Sequence, residues 1–194
     1  MARPREFDPD AALESALQVF WAKGFEAASL DALCDATGLN RSSLYGAFGD
    51  KHTLYLMALN HYEDASATRM AAALAGERPF RKAMAAVLQR MIDDIVQGPG
   101  RRGCFIGNCA AELAGNDRSA AARVRRSLVR IEAAIRDALA RARARGEFPD
   151  SADIAALARF LTAGIQGLRL VGKTRPGRAA LEDIAAVMLR CVEG

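Results

Sequence analysis

Apolar side chains recur at intervals of three and four along most of this chain, the spacing that lines one face of an α-helix. Ala12, Leu13, Ala16, Leu17 and Phe20 form the first stripe. It opens at Asp8-Pro9, a cap followed by proline at the first helical position, and closes at Gly24. Leu30 with Leu33, then Leu44 with Phe48, mark two short helices around a Thr37-Gly38-Leu39 turn. Ser29 and Asn40 are their caps, and Gly38 is free to turn left-handed where the first must stop. Asp50 caps a long helix from residue 51 to about 75, anchored by Leu54, Ala58, Leu59 and Tyr62. A break at residues 76–79 precedes a stripe of Phe80, Met84, Val87, Leu88, Met91 and Ile95. A Gly/Pro/Arg loop at 97–103 leads into a short buried helix over 104–113. Val124, Leu128, Ile131, Ile135, Ala138 and Ala142 give a long seam, and two broad apolar helices close the chain.

The pattern predicts an all-α fold of about nine helices. An N-terminal three-helix helix-turn-helix domain, residues 1–51 with the motif at 29–48, precedes a C-terminal helical ligand-binding and dimerisation domain, residues 52–194. Composition agrees: Ala, Leu, Arg and Glu favour helix, and aromatics make up only 6% of the 194 residues. The N-terminal ARPREFDPD has no apolar segment of the signal-peptide kind. The most apolar stretch, residues 154–171, carries Arg159, Gln166 and Arg169, which argues for a buried amphipathic helix over a membrane span. A cytoplasmic protein with no membrane partner is expected. Cys34, Cys104, Cys109 and Cys191 show no C-x-x-C spacing and are joined only by His52 and His61. No metal and no cofactor are therefore expected.

Charge complicates the picture. The net charge of +4 invites a nucleic-acid reading, yet residues 1–51 hold five Lys/Arg against eight Asp/Glu. Any case for DNA must rest on where the cations sit. They sit in an N-terminal arm (Arg3, Arg5), in the second short helix (Arg41) and at the start of the next helix (Lys51). That second helix sets Arg41, Ser42, Ser43 and Tyr45 on its polar side while Leu44 and Phe48 anchor it, a shape suited to a DNA major groove.

The order Phe20, Gly24-Phe25, Ser29, Gly38-Leu39, Leu44-Tyr45, Phe48, Gly49-Asp50-Lys51 and Leu54 resembles the helix-turn-helix of the TetR/AcrR family of bacterial transcriptional regulators. The resemblance implies a repressor, not an enzyme, bound to double-stranded DNA with inverted half-sites and released by a small-molecule inducer. By motif position, Arg41, Ser42 and Ser43 would reach base edges. Ser29, Tyr45 and Lys51 would hold phosphates, and Arg3 and Arg5 would follow the minor groove. Gly46-Ala47 departs from the family, which often has a bulky or histidine residue there, so one phosphate contact of the pattern lacks its residue.

Three further expectations concern the second domain. Met84 and Met91, with Phe105 and Cys109, are candidates for a ligand pocket, ordinary core filling being the competing account of the methionines. Cys104 follows Arg101 and Arg102 at a helix start, a setting that raises thiolate content. Its GCFIGN context resembles members of the family that sense electrophiles or oxidants, so modification of Cys104 is the alternative switch. Cys109 lies about 140° round the helix and cannot pair with it. The arginines of the long helix, such as Arg136 opposite Glu132, read as a solvated face. Leu161, Ile165, Leu168, Ile184 and Met188 are the candidates for homodimerisation. Gly164 and Gly167 thin their helix for close approach. A thiol enzyme would need a base near Cys104, and both histidines are remote in sequence.

Overall fold

The computed structural model describes residues 7–193. The described residues form nine α-helices and one short 3₁₀ turn: α1 (Pro9–Ala27), α2 (Leu30–Thr37), α3 (Arg41–Phe48), α4 (Lys51–Ala73), α5 (Phe80–Gln97), the turn Pro99–Arg102, α6 (Phe105–Glu112), α7 (Arg118–Ala144), α8 (Ile154–Gly172) and α9 (Arg178–Arg190). Asp8 caps α1 as its spacing suggests, but the helix does not end at Gly24. It bends there, at φ 81° and ψ 176°, and runs one more turn to Ala27. A side chain on that glycine would be strained by its φ and would meet the Glu112 carboxylate at 2.9 Å.

Two hydrophobic cores hold the helices. The first joins α1, α2 and α3 to the start of α4, and extends to Cys104, Phe105, Ile106 and Cys109 of the α6 region and Ala120 and Val124 of α7. The second is built from α5, α7, α8 and α9 with the end of α4. The boundary between cores therefore does not fall at residue 51. The helix-turn-helix shares its interior with α6 and the front of α7, so a movement of α6 is felt in the packing of the reading head.

α4 and α7 are clasped by charge as well as by packing. Glu63 is 1% exposed and accepts from Arg126 at 3.1 Å and Arg130 at 3.3 Å, while Arg126 also donates to Asn60 at 2.7 Å. The arginines of α7 thus reach across to the neighbouring helix, and Glu132–Arg136 is not among the ion pairs of the described residues. Such a buried carboxylate is tolerated because guanidinium groups satisfy it on both sides.

The five sequence candidates for dimerisation do not face outward. Leu161, Ile165, Leu168 and Met188 are buried inside the protomer, and Ile184 packs against the same core. The sequence pattern found the apolar face of each helix, and that face is the one the protomer itself uses. The outward faces of α8 and α9 carry Phe160, Leu170, Val171 and Val187 instead, all exposed. Gly164 does admit a close neighbour, since a Cβ there would lie 2.6 Å from Met188 Cε, whereas Gly167 opens outward with nothing within 4 Å. α8 is long and apolar enough to cross a membrane by length and composition, and its inner face is committed to the second core.

Candidate DNA-reading head and the cavity behind it

Every helix of the head starts on a side-chain cap. Ser29 Oγ accepts from Ala32 N at 3.2 Å, Asn40 Oδ1 accepts from Ser43 N at 2.8 Å, and Asp50 Oδ1 accepts from Thr53 N at 2.7 Å. Gly38 ends α2 in the left-handed region at φ 69°, which sets the angle at which α3 leaves. Leu44 is fully buried and Phe48 nearly so, with Phe7 packed on Phe48 at 6.2 Å between ring centroids. These anchors turn the opposite side of α3 to solvent, and Arg41, Ser42, Ser43 and Tyr45 are exposed there, as is Ser29 at the start of α2.

Two of the cations have partners. Arg41 donates to Asp31 of α2 at 2.9 Å in a pair exposed on both sides, and its pKa is raised by that hydrogen bond. Such a surface pair contributes little and gives way readily to another acceptor. Lys51 donates to the Glu26 carbonyl at 3.2 Å and lies 4.7 Å over the Phe25 ring. It fastens the turn between α1 and α2, a role that sequence reading missed. Arg3 and Arg5 lie outside the described residues.

Behind the head lies a cavity of about 820 Å³. Its wall is drawn from α1 (Leu17, Gln18, Trp21), α4 (Tyr62, Met70), α5 (Met91), the loop residues Arg102 to Cys104, and α8 (Ile165, Gln166, Arg169). Of the four candidates for a ligand pocket, only Met91 lines it. Met84, Phe105 and Cys109 are buried in the two cores, where core filling explains them. Burial also pushes the Cys109 thiol pKa up.

Cys104 occupies the position just before α6 at the cavity wall and is 4% exposed. The Tyr62 hydroxyl donates to its Sγ at 3.9 Å, and Arg169 donates to that hydroxyl at 3.3 Å. Burial, and next the Cys104 thiol, push the Tyr62 pKa up. The two arginines expected beside the thiol are engaged elsewhere: Arg101 donates to the Val96 carbonyl, and Arg102 donates to Gln18 while lying 4.3 Å over the Trp21 ring. Trp21 packs edge-on against Tyr62 at 5.0 Å.

The far end of α6 reaches the head. Glu112 accepts from the backbone N–H groups of Phe25 and Glu26, each at 3.0 Å, and so holds the bend after Gly24. Nothing in the sequence near Glu112 announces this, because the contact spans more than 80 residues. His52 of α4 meets Asp117 just beyond α6. One short helix therefore begins in the cavity wall and ends on the backbone that orients α2.

A two-helix unit with capped starts, a left-handed glycine turn and an exposed polar face defines a helix-turn-helix regulator with a separate cavity. Residues 12–58 match the family described as bacterial regulatory proteins, tetR family, and residues 79–188 match the tetracyclin repressor-like C-terminal domain. The chain belongs to the TetR family, and by that membership it is a DNA-binding transcriptional regulator. It is similar to the HTH-type transcriptional repressor ComR of Escherichia coli (strain K12), at 32% identity over 97% of this chain and 90% of that one. It is also similar to the TetR-family regulator CifR, solved as a cysteine mutant with 26-base-pair double-strand operator DNA, at 33% identity and a TM-score of 0.83 over 97% of this chain and 98% of that one. Reduced Escherichia coli NemR superposes with a TM-score of 0.83 over 92% of this chain and 93% of that one; at 21% identity the likeness is one of fold.

Proposed function

We propose that this chain is a cytoplasmic, homodimeric repressor that leaves its operator when a small molecule occupies the 820 Å³ cavity. The observation that carries this reading is the composition of the cavity wall. It includes α1 and α4, which carry the reading head, and the start of α6, whose other end holds the bend after Gly24. A ligand that pushes on Cys104, Tyr62 or Trp21 acts on the helices that orient α3. Release then follows from differential affinity for two arrangements of the paired heads.

Dimerisation answers a geometric need, because one eight-residue recognition helix touches too few bases for specific binding. The exposed Phe160, Leu170, Val171 and Val187 on α8 and α9 support that face as the place where two copies meet. Arg41, Ser42 and Ser43 would read bases, while Ser29, Tyr45 and Lys51 would hold phosphates. Binding to promoter fragments near its own gene, followed by fluorescence anisotropy across a salt series, tests the reading. The double variant Arg41→Ala, Ser43→Ala should weaken binding by about 10–100-fold. A wild-type protein with no salt-sensitive, sequence-selective binding to such fragments would sink it.

A second reading is favoured by Cys104 standing in the same wall against the Tyr62 hydroxyl. An electrophile that enters the cavity and alkylates this thiol would place its added bulk between α4 and α6. Treatment with N-ethylmaleimide should release operator DNA from the wild type and not from Cys104→Ser. Equal release from both proteins would remove Cys104 from the mechanism.

A further inference from the structure

The cavity wall carries polar groups that the protein leaves unsatisfied. Gln166 and Trp21 both line it, and among the described residues Gln166 Nε2, Gln166 Oε1 and Trp21 Nε1 are enclosed with no hydrogen-bond partner. Two of these atoms are donors and one is an acceptor, and a buried polar atom left unpaired is rare in a folded protein, so three in one wall are not incidental to packing. Arg169 stands one turn further along α8 and faces the same space. Among the described residues it forms no ion pair; the hydrogen bond it makes goes to the neutral Tyr62 hydroxyl at 3.3 Å. Arg169 is half-buried beside the Tyr62 hydroxyl and the Cys104 thiol with no carboxylate paired to it, which leaves its planar fork free for one.

Trp21 and Arg169 both meet Tyr62, and Gln166 lies one turn from Arg169 on α8. A Cβ on Gly107 would lie 3.5 Å from Gln166 Oε1 and 3.6 Å from Cys104 Cβ, so the Gln166 amide rests against the first turn of α6. No side chain caps that turn. The charge of the wall leans the same way: Arg69, Arg90, Arg102 and Arg169 face Glu14 and Asp94, and Glu14 is already paired with His61. Leu17, Met70, Val87, Met91, Ile131 and Ile165 give the wall an aliphatic stretch beside these groups.

The geometry points to an anionic ligand, a carboxylate on an apolar body, with its head received by Arg169, Gln166 and Trp21 and its body laid along the aliphatic wall. One guanidinium beside neutral donors matches a single negative charge, and the planar fork of arginine fits a carboxylate with two parallel hydrogen bonds. The volume suits a small organic acid. This assignment rests on the cavity being the inducer site, and it names the chemistry that site would select.

The test uses the purified full-length homodimer, ω-phenylalkanoates of graded chain length, and their primary amides as neutral twins. Calorimetric titration should show the acids binding at least about tenfold more tightly than the amides. Arg169→Met should erase that preference. Gln166→Leu, which leaves every charge in place, should weaken the acids more than the amides and keeps the test decisive if Arg169→Met fails to fold. Equal binding of acids and amides, an acid preference that survives Arg169→Met, or no acid binding at all would overturn the proposal. Operator release measured on the same samples separates the two readings. Acid binding without release keeps the anion site and removes its role as inducer site. Release by a neutral twin with no acid preference does the reverse.

Discussion

The reading head and the α5–α6 side of the cavity wall are built on opposite principles. In the head, α1, α2, α3 and α4 each begin on a side chain that accepts a backbone N–H, from Asp8, Ser29, Asn40 and Asp50. Around the cavity, α5, the 3₁₀ turn and α6 begin with no side-chain cap, and Gln166 and Trp21 point enclosed polar atoms at nothing. A surface that must present donors to a fixed DNA lattice gains from being fully satisfied, because no reorganisation is then needed on docking. A pocket that must respond to occupancy gains from unmet hydrogen bonds, because the ligand supplies the differential interaction that shifts the equilibrium. α6 joins the two regimes, open at Cys104 and clasped at Glu112.

The largest expected effect comes from truncating side chains in each regime. Leu44 is fully enclosed beneath α3, and Leu44→Ala should cost about 2–5 kcal/mol and remove operator binding with it. Met91 borders open space, so Met91→Ala merely widens an existing cavity and should cost distinctly less. Urea unfolding of the two variants measures the difference. If Met91→Ala destabilises as much as Leu44→Ala, the cavity wall is packed like the head and the contrast fails.

How much of this was legible follows the same division. The head depends on local rules, and its caps, glycine turn and apolar anchors all sit within a few residues of the elements they control. Ser29, Gly38, Asn40, Leu44 and Asp50 could therefore be assigned from spacing alone. The cavity is made by residues that meet only after folding. In the sequence Gln166 and Arg169 are polar interruptions of an apolar helix, because the neighbours that give them a place, Gly107 for Gln166 and Tyr62 for Arg169, lie some 60 and 107 residues away. Of the two methionines picked out by spacing, Met91 lines the cavity and Met84 lies in the core. The dimer candidates pack inside the protomer for a related reason: a helix with two apolar faces shows its stronger periodicity on the face buried in its own core. The exposed Phe160, Leu170 and Val187 fall between those positions.

A middle-sized effect tests whether the capped starts really preorganise the head. Asn40 accepts from the Ser43 backbone N–H and from the Ser42 hydroxyl, both at 2.8 Å, so it fixes the Ser42 side chain and the backbone that carries Ser43, both assigned to base contact. Asn40→Ala should cost about 1 kcal/mol of stability. Operator affinity should fall by more than that loss implies, since Ser42 and Ser43 are released together. Parallel measurement of unfolding and of operator binding decides it. A fall in stability with unchanged affinity would mean that α3 docks correctly without its cap.

The smallest effect concerns pH and the junction between the two regimes. Asp117 caps α7, and its pKa lies below the ordinary carboxylate value of 3.8, first because Ala120 N donates to it and next because of His52. A carboxyl group depressed in the folded state contributes stability that is complete above its unfolded pKa and is lost as pH falls through the lower, folded one. Stability should therefore decline as the solution is acidified below about pH 4, with Asp117 one of the groups responsible. Asp117→Asn keeps an N-cap that accepts the same backbone bonds and cannot titrate. Its stability near neutral pH should be close to that of the wild type, apart from the lost His52 contact, while its decline in acid should be shallower. The slope will not vanish, because Asp50 and Asp93 are depressed as well. Denaturation midpoints collected from pH 7 downward read the difference between the two slopes. Superimposable slopes would show that the His52–Asp117 contact between α4 and the start of α7 carries no weight in holding the head to the sensor.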